Sequence, residues 1–249
     1  MMEIKKTVNV NQLLTIEKEL KRFLMSYKFG LEEVKTKINI LNEEFQYIHD
    51  YNPIEHVKSR IKSPESILEK LSRKDLEVSL SSIKQNIRDI AGIRIVCSFV
   101  SDIYIISEML KNQKDLKVIK YQDYIKDPKP NGYRSLHLIL EVPVFMSDRV
   151  ENICVEVQIR TIGMDFWASL EHKIYYKYND DIPQRLKHEL KEAAFTVTQL
   201  DKKMENLNKE ITKIKDSNYT ESDLISIFRK ENACHIPDGF LGIGYEFKD

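Results

Sequence analysis

The sequence predicts an α+β protein: a mixed β-sheet of about five strands flanked by helices, with a long amphipathic helix at each end. Two observations carry this prediction. At both ends apolar residues recur with alternating spacings of four and three, which lays an apolar seam along a helix. Between the ends, apolar or period-two runs of strand type alternate with helical stretches.

The first long helix is marked by Leu20, Leu24, Tyr27, Leu31, Val34, Ile38, Leu41, Phe45 and Ile48. A shorter one starts at Ser63-Pro64-Glu65, where a serine caps and a proline occupies the first turn. Residues 93–99 form an apolar strand, 102–112 a helical stretch and 117–125 a β-rich run. Residues 135–145 and 152–161 alternate as half-buried strands do, and a helix over 161–176 carries the single Trp, Trp167. The last long helix is marked by Leu186, Leu190, Ala193, Val197, Leu200, Met204, Leu207, Ile211 and Ile214, with Asp181 and Pro183 as start signals. Beyond residue 217 the pattern dissolves, with Gly239, Gly242 and Gly244 close together.

The chain thus divides into an N-terminal helical segment (1–52), a central body (53–180), a C-terminal heptad helix (181–216) and a tail of unassigned structure (217–249). Each seam either covers its own subunit or joins another. About four heptads exceeds the obvious need of one small domain, so a homo-oligomer is expected, with a tetramer favoured.

Composition narrows the function. With 249 residues, 42% hydrophobic and 31% charged, there is material for a real core and too much for a disordered chain. The 39 basic residues cancel the 39 acidic ones, so net charge gives no reason to expect a nucleic-acid or membrane partner; RNA binding would need local clustering. No run approaches the ~20 apolar residues of a membrane-spanning helix, and the start has no signal-type apolar run, so a cytoplasmic location is expected. Cys97, Cys154 and Cys234 show no CxxC spacing; the first two read as buried thiols, and the Cys234-His235 pair is a poor metal site.

Chemistry gathers in three places. In the last strand Ile153, Val155, Val157 and Ile159 point one way and Cys154, Glu156, Gln158 and Arg160 the other; the preceding strand sets Leu136, Leu138 and Leu140 against Ser135, His137, Ile139 and Glu141. A solvated antiparallel face would give the same alternation. Residues 58–74 carry six Lys/Arg against two Glu, and Arg60, Lys62, Ser66, Lys70 and Arg73 surround the helix that starts at Ser63, a natural phosphate cradle. The loop Asp127-Pro128-Lys129-Pro130-Asn131-Gly132-Tyr133 is rigid and presents Tyr133 at a strand entry, where an aromatic can stack on a base. Asp89 and Glu156 are carboxylates from separate strands beside this cradle, a set that suits Mg²⁺ bridging substrate phosphates. Asp89 and Arg94 share a face only if Asp89 precedes the strand or Gly92 marks a bulge. The GxxxxGK[ST], GxGxxG, DFG and GxSxG patterns are absent.

RIKSPESILEKL (60–71), RDIAGIRIV (88–96), DPKPNGYRSLHL (127–138), VEVQIRT (155–161) and MDFWASLEHKIYYKY (164–178) resemble, in order and interval, the synthetase domain of the RelA/SpoT family, most of all the small alarmone synthetases. The resemblance implies a nucleotidyltransferase-like synthetase fold and pyrophosphoryl transfer from ATP to the ribose 3′-OH of GDP or GTP, with GMP a further acceptor. It implies Asp89 and Glu156 as catalytic residues and Mg²⁺ ligands, Glu156 also activating the 3′-OH. Arg60, Lys62, Ser66, Lys70 and Arg73 would bind the ATP phosphates, with Arg94 stacking on adenine. Tyr133 would stack on guanine, Lys129, Asn131, His137 and Gln158 would contact the acceptor nucleotide, and Asp165 and Glu171 would lie near the guanine edge. Longer members of the family carry a hydrolase domain with an HD signature. Here His49-Asp50 lies inside an amphipathic helix without supporting ligands, so no alarmone hydrolysis is expected. The alternative reading is a catalytically inactive nucleotide- or RNA-binding regulator on the same fold, whose mark would be loss of Asp89, Glu156 or Tyr133; all three are present.

Overall fold

The computed structural model describes residues 10–49, 51–177 and 182–218. The chain separates into two units, Met1–Met204 and Glu205–Asp249, and the second is described only as helix, over residues 205–218. The tail from residue 219, with Cys234-His235 and its glycines, lies outside the described residues, as do Asp50 and Asp181.

The elements run α1 (Val10–Ile48), β1 (Ile54–Ile61), α2 (Pro64–Arg73), α3 (Leu80–Asn86), β2 (Ala91–Cys97), α4 (Val100–Lys111), β3 (Lys117–Asp123), β4 (Leu136–Phe145), β5 (Val150–Thr161), α5 (Ile162–Lys177) and α6 (Gln184–Asn218). The five strands form one mixed sheet in the order β1-β2-β5-β4-β3, parallel only between β2 and β5. The fold class is the one expected from the sequence. Two elements, β1 and α3, have no counterpart in the elements expected from the sequence. In β1 the apolar positions Ile54, Val57 and Ile61 are irregular because the register shifts between Ile54 and His56, so no period of two is visible. As a result Arg60 lies on an edge strand rather than around α2.

The core forms on the apolar phase of the sheet. Ile153, Val155, Val157 and Ile159 of β5 and Leu136, Leu138 and Leu140 of β4 are buried together with Tyr27, Leu31, Val34 and Ile38 of α1. Helix and sheet approach so closely that a Cβ on Gly30 would stand 2.6 Å from Ile153 Cγ2. Cys97 is fully buried, whereas Cys154, on the opposite phase of β5, is only half-buried; both are free thiols.

The start of α6 packs over α5 and the loop before β4. Pro183 is the cap rather than a helical residue, since its carbonyl accepts from the Leu186 and Lys187 N–H groups. Trp167 Nε1 donates to the Leu190 carbonyl at 2.9 Å. At the N-terminus of α5 the Thr161 hydroxyl accepts from the Met164 N–H at 3.1 Å and donates to the buried Asp201 carboxylate at 3.0 Å. Burial pushes the Asp201 carboxyl up, against the Thr161 hydrogen bond and the nearby Arg134 guanidinium.

Candidate active site

The strand register explains how the polar residues meet. One row across the sheet reads Arg60, Gly92, Glu156 and Ile139; the next reads Lys58, Arg94, Gln158 and His137. Gly92 leaves the floor of the first row open, because a Cβ there would find only Arg60 Cγ, at 4.0 Å. Asp89 lies in the segment before β2, which is how it faces the same cavity as Arg94 without a bulge. Lys58, Arg60, Asp89, Arg94, Glu156 and Gln158 are the charged and amide side chains lining that cavity, about 200 Å³ in volume. A larger groove of about 750 Å³ runs between α1 and the β4–β5 turn, and none of the expected site residues lines it.

Around Asp89 the cradle closes in. Ser63 caps α2, its hydroxyl accepting from the Ser66 N–H at 3.3 Å, and the Lys62 N–H donates to the Ile90 carbonyl at 2.8 Å. This places the Lys62 and Lys70 ammonium groups each 2.6 Å from Asp89 Oδ2. Burial pushes the Asp89 carboxyl up, but the two lysine hydrogen bonds prevail and hold it below its usual range. Its other oxygen, Oδ1, is buried without a hydrogen-bond partner among the described residues. Ser66 and Arg73 sit exposed on α2, outside the cavity lining.

Glu156 is the second carboxylate. Burial again pushes its carboxyl up, and the His137 and Gln158 contacts outweigh this to hold it low, with Asp89 acting in the opposite sense. The loop expected to meet the acceptor is rigid for local reasons: Gly132 adopts φ 91°, the Gly132 N–H donates to the Lys129 carbonyl at 2.8 Å, and the Tyr133 N–H donates to Asn131 Oδ1 at 3.1 Å. Asn131 Nδ2 donates to Glu171 Oε1 at 3.0 Å, tying the loop to α5. Lys129 Nζ stands 4.7 Å over the Tyr133 ring. Asp165 Oδ1 takes Arg94 Nη1 at 3.0 Å and Arg160 Nη1 at 3.1 Å, so it joins a residue expected on the adenine side to the acceptor side.

Arg160 and Tyr124 are absent from the expected site. Arg160 shares the polar phase with Glu156 and Gln158, which is a sequence signal for its face; its 3% exposure and central place are tertiary facts. Tyr124 packs edge-on to both Tyr133 and His137, and nothing in its local sequence signals this.

A sheet that sets two carboxylates beneath a crowd of ammonium and guanidinium groups, beside a fixed tyrosine, has the makings of a nucleotide-phosphate site. The family model described as a region found in RelA / SpoT proteins matches residues 59–181. GTP pyrophosphokinase YwaC of Bacillus subtilis (strain 168) is 54% identical over 203 residues, covering 82% of this chain and 97% of that protein. The crystal structure of small alarmone synthetase 2 from Bacillus subtilis superposes with a TM-score of 0.71 at 54% identity, covering 77% of this chain and 99% of that one. That of small alarmone synthetase 1 from Bacillus subtilis, bound to its product pppGpp, gives 0.74 at 40% identity, covering 78% and 99%. The chain belongs to the RelA/SpoT family, among the small alarmone synthetases.

Proposed function

We infer that this chain is a GTP pyrophosphokinase that makes (p)ppGpp-type alarmones. The observation that carries the reading is the shared cavity of Asp89 and Glu156, walled by Arg60 and Arg94 and backed by the lysines on Asp89. The acceptor's ribose 3′-oxygen bonds to the β-phosphorus of ATP as the bond from that phosphorus to the α–β bridging oxygen breaks. AMP departs with the bridging oxygen, and the hydroxyl proton passes to Glu156. Against burial, its carboxyl is held low by His137 and Gln158, so Glu156 is ionised at neutral pH and is placed to orient the 3′-hydroxyl and accept its proton as the new bond to phosphorus forms. Such transfer needs positioning and charge neutralisation more than covalent chemistry.

The donor set fits Mg²⁺: two hard carboxylates, one with a buried unpartnered oxygen, leave room for water and phosphate ligands. Asp89 and Glu156 would hold the ion, which when bound supplies charge neutralisation on the phosphates. Arg60, Lys62, Ser66, Lys70 and Arg73 serve the ATP phosphates and Arg94 the adenine. Tyr133 stacks on guanine, with Lys129, Asn131, His137, Gln158, Asp165 and Glu171 around the acceptor. Residues 53–180 act as the catalytic core, between helical segments 1–52 and 181–216. No described helix is long and apolar enough to cross a membrane, in keeping with the cytoplasmic location we propose. A homo-oligomer, with a tetramer favoured, is supported by apolar α6 side chains left exposed, among them Leu200 and Leu207.

The test is to incubate the protein with labelled ATP, Mg²⁺ and GMP, GDP or GTP in parallel and separate the products. Two phosphates moved to a guanine nucleotide with AMP released is the expected result, and the three yields rank the acceptors. Nucleotide binding without product would favour the regulator. Glu156→Gln should abolish turnover while ATP binding, measured by calorimetry, stays largely intact; near-normal rates would remove Glu156 from the centre.

A further inference from the structure

Five side chains form a ring, joined by four hydrogen bonds and closed by one 3.5 Å contact between His137 and Glu156. Arg160 Nη2 donates one proton to Gln158 Oε1 at 2.7 Å and the other to the Tyr133 hydroxyl at 2.6 Å. Gln158 Nε2 donates to Glu156 Oε2 at 2.9 Å. The Tyr133 hydroxyl meets His137 Nε2 at 2.8 Å, and His137 Nδ1 lies 3.5 Å from Glu156 Oε1. Two arms thus join Arg160 to Glu156, one through Gln158 and one through Tyr133 and His137.

Elementary chemistry sets the direction of both arms. A guanidinium only donates and an ionised carboxylate only accepts. Gln158 must therefore turn its oxygen to Arg160 and its nitrogen to Glu156. The Tyr133 oxygen accepts from Arg160. Because Nδ1 of His137 faces a carboxylate that only accepts, a neutral His137 carries its proton on Nδ1, aimed at Glu156, and takes the Tyr133 proton on Nε2. Arg160 Nε and Nη1 are occupied as well, by Ser135 Oγ at 3.4 Å and Asp165 Oδ1 at 3.1 Å, so the guanidinium is anchored on all three nitrogens.

We propose that Arg160 is a positioning residue for the transfer reaction: from one buried guanidinium it aligns both oxygens of Glu156 and locks the Tyr133 ring. This rests on the reading of Glu156 as the reacting carboxylate and Tyr133 as the guanine platform. Stability alone does not call for this residue. A buried arginine loses its hydration, and an apolar side chain of similar volume often folds as well. Charge alone does not suffice either, because both arms start from one nitrogen of a planar fork that lysine lacks.

The experiment pairs steady-state transfer kinetics with nitrogen-15 NMR of the histidine side chains, the His137 signal being assigned by its loss in His137→Gln. Wild type should show the proton on Nδ1. Arg160→Met should keep a cooperative thermal transition yet lose kcat on the order of 10–100-fold, with KM for ATP much less affected. Arg160→Lys should not restore the rate, and in both variants His137 should show mixed tautomers. Should Arg160→Met fail to fold, Tyr133→Phe removes only the oxygen at the ring's centre and should lower kcat more than it raises KM for the guanine nucleotide. A wild-type proton on Nε2, or unchanged kcat in a folded variant, would overturn the proposal. The tautomer is read without turnover, so an inactive wild type with Nδ1–H would fail the pyrophosphokinase reading and leave the ring standing.

Discussion

Helices α1 and α6 carry the same four-and-three apolar spacing but use it differently. The middle of the α1 seam goes into the protein: Tyr27, Leu31, Val34 and Ile38 are all buried against the apolar phase of β4 and β5, while Leu20 and Ile48 at its ends are exposed. Helix α6 meets the body with Ala194, Val197 and Asp201, a stripe that shares Val197 with its apolar seam but leaves the seam beyond it uncovered. Leu200 and Met204 of that seam remain 54% and 45% exposed. In the second unit Leu207 and Ile211 are 42% and 53% exposed. The reason is steric. A Cβ on Gly132 would stand 2.6 Å from Ala194 Cβ, and one on Gly163 2.9 Å from Val197 Cγ1, so the contact selects small side chains for close approach. A heptad pattern therefore reports a helix with an apolar side and says nothing of what covers that side.

Four variants sharpen or break this contrast. Ile38→Ala in α1 should cost about 2–5 kcal/mol, because it opens a cavity in the buried middle of the seam. Urea unfolding measures this, and a loss no larger than that of a surface mutant would mean α1 does not rest on the sheet. Ala194→Leu should cost about 1–3 kcal/mol by overpacking against the loop at Gly132. It should also raise KM for the guanine nucleotide, since that loop carries Asn131 and Tyr133; an unchanged KM would separate α6 from the proposed acceptor site.

The third substitution, Asp201→Asn, tests a polar contact of α6. Its carboxyl is raised by burial, so its contribution to stability is present below the ordinary carboxylate range and is lost as pH rises through the folded value. The variant should melt at or above wild type at neutral pH, with the gap narrowing as pH falls toward 4, and a gap that widens in acid would reverse the sign. The smallest effect on folding is expected for Leu207→Ser with Ile211→Ser, within about 0.5 kcal/mol as for other exposed positions. Sedimentation should nevertheless show a smaller assembly, and an unchanged one would move the subunit contact away from these residues.

The site is legible in the sequence to different depths. Alternation in β4 and β5 is a local property, so the period of two alone puts Glu156, Gln158 and His137 on the polar phases of their strands. The Ser63 cap and the Asn131-Gly132 turn are local too, and both form where the sequence puts them. Strand β1 is hidden because its apolar positions are sparse and its register slips, and with it goes the position of Arg60 on the sheet edge. The burial of Arg160 is illegible because an arginine in the polar phase of a strand ordinarily faces water.

By itself the sequence determined the α+β class, the long helices, the phases of the central strands and membership of the RelA/SpoT family, because period, caps and contiguous motifs are read along the chain. Only the tertiary structure decided that Lys62 and Lys70 grip Asp89, that Asp89 shares a cavity with Glu156, and that Arg160 anchors a ring around it. Those meetings depend on the parallel pairing of β2 with β5 and on the seating of α2 and α5 beside it. Register across a sheet is set by long-range packing, and no local period encodes it.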